Sequence, residues 1–179
     1  VLDDLGLARA LRSECEQRSR RYGVPVEFFD RAGDATPDHP VALTILRIAQ
    51  EAVQNACKHA SATEVQVDLE RAPARSIRLT VHDDGCGFDT SATTARSSAG
   101  LGIASMEERA RLVGGELSVV SREGRGTTVS VVAPLGSGSG VERRDTYELP
   151  SVRPRASGAH VTAPEGSDVP GSGAAGRDS

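Results

Sequence analysis

The chain has 179 residues, a formal net charge of -4 and a pI near 5.6, enough length for one domain with a real hydrophobic core and no global basic field to attract nucleic acid or an anionic bilayer. No window reaches the apolar length needed to span a membrane, and no charged n-region precedes an apolar h-region, so direct membrane contact is not expected of this segment. Cys15, Cys57 and Cys86 are odd in number and lack metal-ligand spacing, which argues against a disulfide framework or a zinc site and for a reducing cytosol.

The first residue is Val1, inside the apolar and acidic run "VLDDLGL", so the sequence reads as a fragment of a longer protein with part of its function upstream. From Leu5 to Tyr22, Leu7, Ala10, Leu11 and Cys15 fall at helical spacing, and Gly23 is a stop signal. Val24 to Phe29 is short and apolar around Pro25, which predicts an edge strand. After the turn-like "RAGDATPDHP", a long helix is predicted from about Val41 to Ala60. Asp38 is able to cap it and Pro40 is tolerable in its first turn; its apolar arc holds Ile45, Ala49, Ala52, Val53 and Ala56. Val65, Val67 and Leu69 then alternate with polar residues, as do Ile77, Leu79 and Val81, which predicts two half-buried strands.

The second of these strands runs into "HDDGCGF". The small, polar "DTSATTARSSAG" after it predicts a mobile loop. A helix from about Leu101 to Val113 is stopped by Gly114 and Gly115, and "ELSVVS" and "TTVSVVAPL" flank "REGRG" as a hairpin. From Gly136 onward the chain is rich in Gly, Ser, Pro and Arg without an apolar period, a tail expected to be disordered. The order α, β, α, β, β, loop, α, β, β implies an α/β two-layer sandwich, with helices on one face of a mixed, mostly antiparallel sheet. The expected division is a folded domain over 1–135 and a disordered tail over 136–179.

Four short motifs carry potential chemistry. Glu51, Asn55, Lys58 and His59 share a helical face and can converge on one ligand, although Arg47, Gln50 and Gln54 extend the same arc and a plain solvated face would look alike. In "DDGCGF" an acidic pair ends a strand before Gly85 and Gly87; a carboxylate there can accept from an amino group of a flat ligand, and an Asp-Gly turn is the plainer explanation. The Gly-x-Gly of "SAGLGIASMEERA" can offer backbone N–H groups to phosphate at the start of a helix, but alone it is weak. "EGRGTTV" is sufficiently explained as hairpin turn chemistry.

It is the series that is specific: Glu-x-x-x-Asn-x-x-Lys-His on a helix, Asp-x-Gly-x-Gly after a strand, Gly-x-Gly before a helix, then Gly-x-Gly-Thr in a hairpin. From Leu2 to about Leu135 the sequence resembles the nucleotide-binding domain of the GHKL superfamily, which includes gyrase, MutL-type mismatch-repair proteins, the large heat-shock chaperone ATPase and sensor histidine kinases. Its form is most similar to histidine kinases of the nitrate-sensor-like subfamily, through "LDDLGL", "RIAQEAVQNACKHA", "SMEERARLVGG" and "GRGTTVSVVAPL".

The resemblance implies the remaining expectations. ATP and Mg²⁺ are the cofactors. Asn55 coordinates the Mg²⁺ that bridges the phosphates, Glu51 is the acidic catalytic-box residue in a supporting role, and Lys58 and His59 lie near the phosphates. Asp83, and not Asp84, accepts from the adenine amino group; Gly85 and Gly87 give the base room. Gly100, Leu101 and Gly102 form the hinge of a lid over Asp89 to Ala99, and Thr127 reaches adenine directly or through water. The family's phosphoacceptor histidine lies in an upstream helical dimerisation domain, and none of His39, His59, His82 or His160 has a matching context, so this chain alone is expected to bind ATP but not to autophosphorylate.

The partners implied are that upstream domain, dimeric in the full protein, and a helix-turn-helix response regulator. The implied location is the cytoplasm, free or as part of a membrane-anchored sensor. An anti-sigma-factor type serine kinase and a non-catalytic nucleotide-responsive interaction module are the competing readings, with a gyrase-like ATPase ranked below them.

Overall fold

The computed structural model describes residues 2–89 and 98–136. Residues 90–97 of the expected mobile loop, and the whole of the expected tail beyond Gly136, lie outside the described residues, while the last residues of that expected loop, from Ser98, are helical. The described part belongs to one compact unit, Val1–Gly140, whose elements are α1 (Leu2–Tyr22), β1 (Val26–Arg31), α2 (His39–His59), β2 (Val65–Ala72), β3 (Ser76–Asp83), α3 (Ser98–Leu112), β4 (Glu116–Ser121) and β5 (Thr127–Pro134).

These strands form one sheet in the order β1-β2-β3-β5-β4. Only β1 runs parallel to its neighbour; β2 with β3, β3 with β5 and β5 with β4 are antiparallel. The alternation visible in the sequence is the alternation of the two faces. Val65, Val67 and Leu69 of β2 and Ile77, Leu79 and Val81 of β3 are buried, while Gln66, Asp68, Arg78 and Thr80 point to the other side. The helices lie on the buried side, the expected two-layer sandwich. β1 is an edge strand as predicted, shifted two residues towards the C-terminus and paired from Val26↔Val65 to Arg31↔Glu70. Pro25, which has no N–H for a ladder, falls just outside it.

α2 is the centre of this unit. It contacts both other helices and β2, β3 and β5, and Val41, Ile45, Ile48 and Val53 on its inner arc are sealed from solvent. Each such side chain contributes on the order of 1.5–3 kcal/mol by its burial. Asp38 stands at the N-cap position but its side chain makes no capping hydrogen bond. Its N–H instead donates to the Leu135 carbonyl at 2.7 Å, which ties the end of β5 to the start of α2.

Two helices also begin earlier than the sequence predicts. α1 begins at Leu2, ahead of a break at Gly6, whose φ of 73° and ψ of 163° interrupt the helix without ending it. α3 begins at Ser98, so Gly100 and Gly102 lie inside its first turns instead of opening it. Ser and Ala have adequate helix propensity, and Gly costs only about 1 kcal/mol there, less than the packing of the helix returns.

Candidate nucleotide-binding site

The polar arc of α2 divides between two neighbours. Arg18 of α1 donates from Nε to Glu14 Oε1 at 2.6 Å and from Nη1 to Gln54 Oε1 at 2.7 Å, and Gln50 Nε2 donates to Glu14 Oε2 at 2.9 Å. Gln50 and Gln54 thus join the two helices and are not part of a wet face. Glu51 and Asn55, one step round the helix, face α3: Asn55 Nδ2 donates to Glu51 Oε1 at 3.5 Å, and Gly102 sits directly against both. A Cβ at Gly102 would lie 3.0 Å from Glu51 Oε1 and 3.5 Å from Asn55 Nδ2.

Beyond this contact a cavity of about 480 Å³ opens between α2, α3 and the end of the sheet. Ala52 and Ala56 of α2, Ile103 and Met106 of α3, and Val81, Val119 and Val129 of the sheet give it apolar walls. Its polar groups are few and spread apart: Asn55 and His59 on α2, Asp83 at the end of β3, Thr127 at the start of β5, with Asp89 and Glu123 on the loops. An apolar cavity with a small number of polar groups suits an aromatic heterocycle.

Asp83 is the residue that stands out. It is only 6% exposed, and its Oδ1 accepts from the Gly85 N–H at 3.0 Å. Burial pushes its carboxyl above the usual aspartate range, while the N–H groups of Gly85 and Thr127 pull the other way. Asp84, the next residue, is exposed and does different work. Its Oδ1 accepts from the N–H groups of Thr63 at 2.7 Å and Glu64 at 3.0 Å, and its Oδ2 meets the Thr63 hydroxyl. Slight desolvation opposes its charge, but these donors hold it below the usual range. One carboxylate of the pair faces the cavity, and the other closes the turn between α2 and β2.

The glycines of this motif pack the backbone together as much as they make space. At Gly85 a Cβ would overlap the carbonyl and Cβ of Ala60; at Gly87, φ 60°, it would overlap the Arg122 carbonyl; at Gly126, φ 71°, the Asp83 carbonyl. Hydrogen bonds fasten the same three segments. Cys86 N donates to Ala60 O at 2.7 Å and Gly124 N to Cys86 O at 2.6 Å. The end of α2, the loop after β3 and the β4–β5 turn therefore interlock as one cavity floor.

Of the residues singled out in the sequence, Asn55, His59, Asp83, Gly87 and Thr127 line the cavity. Glu51 and Gly102 meet at its rim. Gly85 lies behind the wall, Lys58 and Leu101 point to solvent, and Gly100 belongs to the first turn of α3. Sequence reasoning missed the wall residues Ile103, Met106 and Val119, and it missed Ser121. That serine is buried at the end of β4, with its Oγ accepting from Phe88 N at 2.9 Å and 2.9 Å from Thr127 Oγ1. Its position, six residues before the Thr that follows Gly-x-Gly, was the available signal. Among the described residues no group of three or more His, Cys, Asp or Glu could hold a metal, and no helix is long and apolar enough to cross a membrane.

Known proteins agree with this geometry. Residues 41–137 match the family described as histidine kinase-, DNA gyrase B-, and HSP90-like ATPase. The chain is 35% identical over 134 residues to the oxygen sensor histidine kinase NreB of Staphylococcus carnosus, covering 75% of this chain and 38% of that protein. It is 32% identical over 136 residues to the signal transduction histidine-protein kinase/phosphatase DegS of Brevibacillus brevis, covering 75% and 34%. The chain thus spans about a third of the length of these curated relatives. Its fold is similar to that of a blue-light activated histidine kinase from Erythrobacter litoralis, with a TM-score of 0.59, 24% identity, and coverage of 70% of this chain and 40% of that one. The family match, the sheet with its helices on one face, and the cavity between α2, α3 and Asp83 lead to one assignment: this chain belongs to the histidine kinase-, DNA gyrase B- and HSP90-like ATPase family, in the form that the catalytic domains of sensor histidine kinases take.

Proposed function

We propose that this chain is the ATP-binding catalytic domain of a two-component sensor histidine kinase, and that it donates the γ-phosphate of ATP to a histidine on an upstream helical dimerisation domain. The observation that carries the reading is Asp83: a buried carboxylate, held by a backbone N–H, in the wall of a largely apolar cavity that Asn55, His59 and Thr127 also line. An ionised carboxylate accepts and cannot donate, so it selects a base edge that offers an amino group.

With the base against Asp83, the phosphates extend towards α2 and the first turns of α3. There Asn55 and Glu51 would hold Mg²⁺. The fit is chemically sound, because Mg²⁺ takes oxygen ligands and is ordinarily bound by one or two protein groups together with substrate phosphates, and Gly102 leaves no side chain between these two residues and the cavity. The metal would neutralise charge on the phosphates. His59 and Lys58, at the C-terminal end of α2, would lie near the phosphates, with Lys58 reaching in from solvent. Phosphoryl transfer depends on positioning and electrostatic stabilisation, and the acceptor imidazole must come from the partner domain.

The working arrangement is therefore a catalytic domain over 1–135 and a tail over 136–179, joined in the full protein to a dimeric phosphoacceptor bundle, located in the cytoplasm and signalling to a helix-turn-helix response regulator. The test is to extend the chain upstream by the helical segment and incubate it with γ-labelled ATP. Acid-labile, base-stable label that disappears when the histidine of that segment becomes Gln supports the proposal. Label on serine of an added protein, or nucleotide binding without transfer, would replace it with a serine kinase or a non-catalytic module.

A further inference from the structure

Three carboxylates line the cavity, those of Asp83, Asp89 and Glu123. Asp83 is held by the Gly85 N–H, and Asp89 has an interaction within the chain. Glu123 differs from both: its carboxylate has no hydrogen bond or ion pair among the described residues, although Arg122 and Arg125 stand close to it in the chain. Its backbone is nevertheless fixed. The Arg125 N–H donates to the Arg122 carbonyl at 3.0 Å, closing a four-residue turn in which Gly124, φ 72°, takes the central position that needs a left-handed residue. On both sides of Glu123 this turn is fastened to the loop after β3. Gly124 N donates to Cys86 O at 2.6 Å, and the Arg122 carbonyl lies where a Cβ on Gly87 would be. A side chain free at its tip thus starts from a fixed point in the cavity wall, at the solvent edge.

A cavity of about 480 Å³ is in the range that takes a nucleoside-sized ligand and not a base alone. With its phosphates ionised, ATP has hydrogen-bond donors in two places only, the 6-amino group and the ribose hydroxyls. An ionised carboxylate only accepts, and one turned to the phosphates would repel them. Asp83 takes the amino group. Resting on the ATP reading above, we propose that Glu123 accepts from the vicinal ribose hydroxyls and is the residue that makes this site prefer a ribonucleotide to its deoxy forms. Two carboxylates, one buried and one at the solvent edge, then read the two donor groups of the ligand.

The test is competition binding of a nonhydrolysable ATP analogue and its 2′,3′-dideoxy form, with Mg²⁺, to the whole chain as wild type, Glu123→Ala, Glu123→Gln and Asp83→Asn. The expected result is a wild-type preference for the ribose form of roughly tenfold. In Glu123→Ala the preference should fall to about twofold or less, through weaker binding of the ribose form alone. Glu123→Gln, which keeps an acceptor oxygen without the charge, should lie between the two. Glu123 is exposed on a turn, so neither variant removes buried packing. Asp83→Asn should weaken both ligands and leave their ratio as it is. Equal wild-type affinity for the two ligands, or a ratio that Glu123→Ala leaves unchanged, would overturn the role of Glu123. So would equal tightening of both ligands in Glu123→Ala, the sign of a carboxylate that only repels phosphate. All three outcomes leave the nucleotide reading intact as long as Asp83→Asn weakens binding, whereas absence of binding by the wild type would overturn both.

Discussion

Gly126 lies against Asp83 so closely that a Cβ on the glycine would overlap the aspartate carbonyl oxygen. The β4–β5 turn is thereby pressed onto the strand end that carries the buried carboxylate, and Thr127, the next residue, is delivered to the cavity opposite it.

That contact separates two glycines with nearly the same backbone conformation. Gly124 has φ 72° and open space around its Cβ position; Gly126 has φ 71° and none. Gly124→Ala should cost about 1 kcal/mol, the left-handed penalty alone. Gly126→Ala should cost about 3 kcal/mol or more, because it adds a backbone overlap that no rotamer relieves. Urea unfolding of the two variants checks the difference.

Gly102 offers a dissociation of stability from activity. Alanine is the better helix former by about 1 kcal/mol, and the nearest obstacle is the mobile end of Glu51, 3.0 Å from the Cβ position. Gly102→Ala should therefore leave thermal stability unchanged or raised. Kinase activity in the extended protein, and Mg²⁺-dependent nucleotide affinity in this chain, should fall about tenfold as Glu51 and Asn55 are displaced. Equal activity would mean that these two side chains are not needed where they stand.

The adjacent aspartates should titrate in opposite directions. Burial raises Asp83, while donors from Thr63 and Glu64 outweigh a small desolvation and lower Asp84. Asp83 thus contributes stability that is fully present below its unfolded value and lost as pH rises through its native one. Asp84 contributes stability present above its unfolded value and lost as pH falls through its native one. Carboxyl carbon NMR of the free chain should place Asp83 above and Asp84 below the usual aspartate range. Binding of an amino base, which needs the ionised Asp83, should weaken on acidification already above that range, and Asp83→Asn should remove that dependence.

The three free thiols form a graded series. Cys15 is buried, and that burial, with Glu14 nearby, pushes its thiol up to about 12; Cys57 is half-buried and also raised by desolvation; Cys86 is exposed at the cavity. Thiolate-directed alkylation should modify Cys86 first and leave Cys15 intact until unfolding. A bound ATP analogue should slow the reaction of Cys86, as timed mass spectrometry would show. Labelling of Cys15 at the same rate as Cys86 would contradict the packing of α1 on α2.

How much of this was legible in the sequence depended on the range of the interaction. Period-two alternation identified β2 and β3 because each has one face on the core and one on solvent. The burial of α2 followed from its apolar arc for the same reason. Gln50 and Gln54 were misplaced with the wet face because their partners, Glu14 and Arg18, are far away in the chain. The start of α3 was set three residues late because Gly100 and Gly102 look like helix breakers, and only the contact with Glu51 explains a glycine inside the helix. Gly85 and Gly87 were read as space for a base, when the nearest demand on them comes from Ala60 and Arg122. For Ser121 the sequence offers only its spacing from Thr127; its contact with Phe88, far away in the chain, is brought by the fold.

The central claim is that the slot beside Asp83 holds the base of ATP, and titration calorimetry of this chain with Mg²⁺ and a nonhydrolysable ATP analogue tests it most directly. Saturable binding should weaken at least about tenfold in Asp83→Asn, the loss of a charge-assisted hydrogen bond, and should lose its Mg²⁺ dependence in Asn55→Ala. Wild-type binding that Asp83→Asn leaves untouched, or no binding by a folded wild-type chain, would contradict the account.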